Sequence, residues 1–185
     1  MPADRDYTVR LNLLRRTTHY TLAPDRIVMA STRGVRYLAY RDIGQLRIFT
    51  VYASGAGLMD RCAARGKAEA ILLQSASFAG IGRFLDESPA YRAFVRDLVA
   101  RVHEANPAAH FLVGMPWANW AGWVATLIVL GVAVLAGIAL TLTGFWAGIV
   151  LILSGVTAAP LTWRMVRRGP PRPIDAAALE ARLAR

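Results

Sequence analysis

Two hydrophobic rhythms divide the chain. From Ala105 to Trp163 there is no Asp, Glu, Lys or Arg, whereas charges are scattered throughout the residues before it. Roughly 20 apolar residues cross a bilayer core as a helix, at about 1.5 Å of rise per residue. The 47 residues 117–163 are too many for one crossing and suit two. The polar, glycine-containing break Thr-Leu-Thr-Gly near the midpoint predicts first and second spans at 117–140 and 145–166, with a turn at 141–144. Ahead of them the period is two. Val9, Leu11 and Leu13 alternate with Thr8, Arg10 and Asn12, the signature of a half-buried strand. Similar runs follow as HYTLA, RIVMAS, RGVRYLAY, QLRIFTVYAS, DRCAAR and AEAILLQS, punctuated by Pro24-Asp25, Gly34, the SGAG run at 54–57 and Gly66-Lys67. That predicts about seven strands between Tyr7 and Ser75. Their connections are too short for crossover helices, so neighbours in sequence are expected to be antiparallel.

The period then changes to that of a helix. Ser88-Pro89 predicts a helix start with Ser88 as N-cap, and Tyr91, Phe94, Val95, Leu98 and Val102 form one apolar stripe. Asn106-Pro107 ends it. The expected organisation is a domain at 1–106, a linker at 107–116, the two spans with their periplasmic turn, and a basic, Pro-rich tail at 167–185. Residues 75–88 read as one long irregular loop. In the tail, Asp175 is placed to cap a short helix over 176–185, apolar at Leu179 and Leu183; it either folds back on the domain or lies on the membrane.

Aromatic and basic residues orient the spans. Trp117 and Trp120 stand at the start of the first span, Trp146 beyond the turn and Trp163 at the exit, as expected of rings at a membrane–water interface. The turn has no Lys or Arg, while Arg164, Arg167 and Arg168 follow Trp163 closely. The positive-inside rule then predicts that both termini are cytoplasmic, in a bacterial inner membrane. The first ten residues are charged and lack an apolar core, unlike a signal peptide. A single cysteine, Cys62, excludes an internal disulfide and fits a reducing compartment.

Charge narrows the partners. The net charge of +10 invites nucleic acid as a reading. A domain tethered beside anionic lipid explains the same charge more simply, so the expected partner is the anionic cytoplasmic leaflet, together with a protein partner or self-association, and no nucleic acid. Ionisable residues, which mark substrate or ion paths, are missing from the spans.

No motif points to catalysis, a cofactor or a metal. His19, His103 and His110 stand apart without Cys or paired carboxylates at ligand spacing. Gly55-Ala56-Gly57 and Gly80-Ile81-Gly82 do not complete a dinucleotide-binding loop, and no G-x-S-x-G elbow occurs. The candidate contact residues for a partner or lipid are the strand arginines Arg33, Arg36 and Arg47, with Ser75, Ser77 and Arg83 of the 75–88 stretch. Its apolar residues also suit a simple cap on the domain.

Seven antiparallel strands followed by one amphipathic helix resemble the pleckstrin-homology superfold. YRDIGQLRI (40–48), LLQSASFAGIGRF (72–84), AYRAFVRDLVARV (90–102) and RPID (172–175) are similar to segments of bacterial membrane-anchored proteins with such a domain. The resemblance implies an α+β cytoplasmic domain, a PH-like barrel closed by a C-terminal helix, that binds a lipid headgroup or a protein without chemistry of its own. A basic loop between the first two strands, the phosphoinositide signature, is not matched by Arg15 and Arg16. The expected function is therefore a non-enzymatic membrane adaptor or accessory subunit, with an anionic-lipid surface module second and an enzyme last.

Overall fold

The structure is a computed structural model that describes residues 5–10, 17–32, 34–53, 57–67, 69–80 and 83–184. The chain forms two compact units, residues 1–113 with 172–185, and residues 114–171.

In the first unit the seven expected strands are present: β1 Arg5–Val9, β2 Thr18–Leu22, β3 Arg26–Ser31, β4 Gly34–Ala39, β5 Ile43–Ala53, β6 Gly57–Gly66 and β7 Ala70–Gln74. β1 starts before the Val9–Leu13 alternation; Leu11 and Leu13 lie outside the described residues. β1 to β4 make an antiparallel meander. After a 3₁₀ turn, Tyr40–Asp42, the chain starts a second sheet in which β5, β6 and β7 are antiparallel neighbours. Period-two burial explains the pairing: Tyr7, Val9, Tyr20, Leu22 and Ile27 from the first sheet and Leu46, Cys62, Ala64, Ile71 and Leu73 from the second are all buried.

Helix α1, Ser88–Ala105, covers this core with Tyr91, Phe94, Val95, Leu98, Val99 and Val102, the predicted stripe plus one residue. Arg101 ties it to the end of β2 by donating to the carbonyls of Leu22 (3.0 Å) and Ala23 (2.7 Å). Asn106 anchors its end, its amide donating to the carbonyls of Ile43 and Arg41. Ser88 is not the N-cap. It is the first helical residue, and the Asp86 carboxylate accepts from both its backbone N–H and its hydroxyl, because a carboxylate two residues upstream outcompetes a hydroxyl for the free amides.

Three further expectations are corrected. Residues 75–88 are not a loop: β8 Ala76–Gly80 and β9 Arg83–Asp86 pair as a hairpin. Its strands are too short, and too broken by glycine and serine, for the alternation to register. The 107–116 linker contains β10, His110–Val113, which runs parallel to β5, so the five-stranded sheet is mixed. The Pro-rich start of the tail contains β11, Arg172–Pro173, antiparallel to β10, and the five-stranded order is β11-β10-β5-β6-β7. No closed barrel results, since the described strands fall into three separate sheets. Side chains bridge the free side of β7: the hydroxyls of Tyr7 and Tyr20 donate to the carbonyls of Gln74 (2.6 Å) and Leu72 (3.2 Å). These bonds satisfy edge carbonyls that a further ladder would otherwise take.

The tail folds back on the domain. Helix α4, Ala176–Leu183, packs on α1, with Leu179 fully buried and Ala176 nearly so in the same core.

The second unit is a helical hairpin. α2, Trp117–Leu142, and α3, Ala147–Arg167, are long and apolar enough to cross a membrane, at 26 and 21 residues. The turn falls at 143–146, two residues later than predicted. The Thr141 hydroxyl donates to the Gly137 carbonyl, so its polar group is satisfied inside the helix, which runs on to Leu142. The reversal comes at Gly144, where φ is +85°. Close approach rests on Gly137 and Gly148. A Cβ on Gly137 would lie 2.7 Å from the Gly148 carbonyl oxygen, and one on Gly148 would strike the Gly137 carbonyl and Thr141. Pro160 sits inside α3. At the open end of the hairpin, Gly114 has φ +112° and a Cβ there would lie 2.5 Å from the Pro170 carbonyl oxygen.

Two outcomes follow from this packing. Leu179→Ala in the full chain is expected to remove about 2–5 kcal/mol of protection, read by hydrogen exchange as faster exchange in β10, β11 and α4. Gly148→Val is expected to open the helical hairpin at lower SDS concentration. Gly122→Val, where an added Cβ meets nothing within 4 Å, leaves that concentration unchanged.

Candidate functional site

Of the six residues expected to form a contact site, the five that are described do not come together. Arg33 lies outside the described residues. Arg36 is exposed on β4, opposite Met29 in the four-stranded sheet. Ser75 is buried and its hydroxyl accepts from the Asp60 amide (2.9 Å); the Ser77 hydroxyl accepts from the Arg10 amide (3.1 Å). Both serines are occupied in joining strands. Arg83 is exposed on the small hairpin. Among the described ones, Arg47 belongs to a cluster.

That cluster follows from the register of β5 and β6. Arg47 faces Ala63, Phe49 faces Arg61, and Gln45 faces Arg65. Paired residues share a face and successive pairs alternate, so Arg47, Arg61 and Arg65 project from one side of the sheet. Leu46, Cys62 and Ala64 fill the core on the other. The arginine side continues through Leu72 and Gln74 on β7 and Leu112 on β10. None of the residues placed there by register is acidic. Arg61 donates a long bond (3.4 Å) to the Gln74 side-chain oxygen, and the Nε atoms of Arg47 and Arg61 are covered without a hydrogen-bond partner. Desolvation, reinforced by the nearby charge of Arg65, lowers the pKa of Arg47; desolvation alone lowers that of Arg61. Guanidinium groups stay protonated regardless. These are charges held against the sheet with no carboxylate paired to them among the described residues.

The sequence showed Arg61, Ala63 and Arg65 alternating in a strand that follows the strand of Arg47. What it lacked was the register that aligns them across β5 and β6.

Two grooves are less suited to a ligand. One of about 660 Å³ lies between the β2–β3 turn, the 3₁₀ turn and the end of α1. Its charges are balanced: Asp25 pairs bidentately with Arg26 at 2.7 and 2.8 Å, and Arg101 is engaged with backbone. The other, of about 640 Å³, brings His103 and His110 round one opening with Gln45, Phe111 and Asp175, an association that the spacing of the histidines along the chain does not suggest. Among the described residues no three potential ligands stand close enough to hold a metal.

In the hairpin unit, the interface residues sort by end. The first turn of α2 and the last of α3 place Trp117, Trp120, Trp163, Arg164, Arg167 and Arg168 together. The Trp120 indole donates to the Val166 carbonyl (3.1 Å), and the Arg167 guanidinium lies 5.4 Å from the centre of the Trp163 ring. Trp146 stands at the turn, 77% exposed. Compared with known protein families, curated proteins and solved structures, the chain matches none.

Cys62 sits at the centre of the core behind the arginines, where burial pushes its thiol up to about 12. At pH 7.5 almost no thiolate is present, and the side chain has no exposed surface. A maleimide is therefore expected to leave Cys62 unlabelled in the folded full chain and to label it fully after unfolding. Labelling at equal rates in the two states is the contrary result.

Proposed function

We propose that the chain is a non-enzymatic adaptor or accessory subunit of a bacterial inner membrane, whose cytoplasmic domain holds a protein partner at the membrane face. The observation that carries this reading is the arginine side of the five-stranded sheet, on which no described residue is acidic, in a domain whose chain leaves for two apolar helices and then returns. An unpaired cationic surface forgoes stability that nearby acids would have supplied, and binding is the usual return. A PH-like assignment is supported by the division of seven consecutive strands into four and three ahead of α1. Cytoplasmic termini are supported by Arg164, Arg167 and Arg168 at one end of the hairpin and the absence of Lys or Arg in the turn.

A second reading is an anionic-lipid surface module. The observation favouring it is the joint placement of Trp117, Trp120 and Trp163 with those three arginines, a set that suits the headgroup layer.

Crosslinking of the full-length protein in its native membranes, read by mass spectrometry, separates the two. The adaptor reading expects one reproducible protein joined to residues of the first unit. Lipid and self-crosslinks alone would overturn it. Binding to anionic vesicles that fades as salt rises would then support the lipid module.

A further inference from the structure

The arginines are spaced as well as clustered. Arg61, Arg47 and Arg65 stand at three successive levels of one sheet face, the pairs 49–61, 47–63 and 45–65. Each level is two residues, about 6.6 Å, from the next along the strand direction, and neighbouring strands are about 4.8 Å apart. An extended polypeptide repeats its same-side side chains at that same interval. Carboxylates at positions i, i+2 and i+4 of such a segment therefore meet the three guanidinium groups in turn.

Resting on the adaptor reading, we infer that this face docks an extended acidic segment of the partner protein, with acidic side chains at alternate positions. Arg–carboxylate pairing is bidentate and directional, and it gains strength where the guanidinium is already partly desolvated, as at Arg47 and Arg61. Around the charges lie Phe49, Leu72 and Leu112, all half-buried. Arginine mixed with aromatic and aliphatic groups, and no lysine, is the composition of a protein interface core. A bilayer surface attracts projecting, hydrated cations, whereas the covered Nε atoms of Arg47 and Arg61 hold their guanidiniums low on the sheet.

The test uses the full chain in phosphatidylcholine nanodiscs and two labelled nine-residue peptides of identical composition. One carries three Glu at alternate positions among Thr and Leu; the other carries the three Glu contiguously. The alternating peptide is expected to bind about tenfold or more tightly than its isomer. Arg47→Gln/Arg61→Gln/Arg65→Gln is expected to abolish the difference. Arg36→Gln/Arg83→Gln/Arg92→Gln, which removes the same charge elsewhere (Arg92 is exposed on α1), is expected to keep it, with far-UV circular dichroism confirming that both variants fold. Equal binding of the two peptides, or equal loss in both variants, overturns the inference. So does a face whose loss changes only the binding of vesicles about one-third phosphatidylglycerol. If the native crosslinked partner is retained by the face variant, the adaptor reading stands and this surface falls; if no partner is found at all, both fall.

Discussion

Four residues of β10 hold the molecule's connectivity together. His110–Val113 pairs in parallel with β5 on one side and antiparallel with β11 on the other, so the segments preceding and following the helical hairpin are adjacent strands of one sheet. Closing a 58-residue excursion has an entropic cost that grows only slowly with length. The helical unit reduces it further, because antiparallel helices return the chain to where it left. Gly114 beside Pro170, and Trp120 bonded to Val166, hold those ends side by side. The rest of the offset comes from burial. Phe111 enters the core from β10, and Ala176 and Leu179 enter it from α4. A tail that would otherwise be a tether thus becomes part of the domain it tethers.

The same sheet illustrates how one face was left available. Its inner face is consumed by α1 and the four-stranded meander. Its β7 edge is satisfied by the hydroxyls of Tyr7 and Tyr20, and the Gln74 side chain bridges the carbonyls of Arg10 and Ala76. Its opposite edge ends in the two-residue β11, too short to template a further strand. With both edges managed and one face buried, the remaining large surface is the one bearing Arg47, Arg61 and Arg65. Edge protection by side chains, and not by ladder closure, is what distinguishes this domain from a continuous barrel.

How much of this was legible in the sequence depended on the range of the interactions involved. The seven strands, the helix at 88–105 and the apolar hairpin were readable because each is specified by a local period that burial on one face enforces. β10 and β11 were not. Four residues and two residues carry no period, and their pairing joins positions about sixty residues apart, through a helical unit whose return brings them together. The 75–88 hairpin failed for a related reason: Ser75 and Ser77 look like loop residues, yet their hydroxyls accept backbone N–H groups from Asp60 and Arg10. Among the candidate contacts, Arg47 was recognisable as a strand arginine without an obvious partner. Arg36 had the same local appearance, and only strand register separates it from Arg47.

Register also explains why three arginines on one face need not unfold the sheet. Arg61 and Arg65 are four residues apart on one strand, and Arg47 sits across from the small Ala63 between them. Lateral room at Ala63 lets the stems lie along the sheet and cover apolar surface, so each side chain contributes packing even as its charge goes unmatched. Like-charge repulsion at such spacings is softened by solvent above the sheet, and it acts on groups that cannot lose their protons. The face is thus stable enough to persist unoccupied.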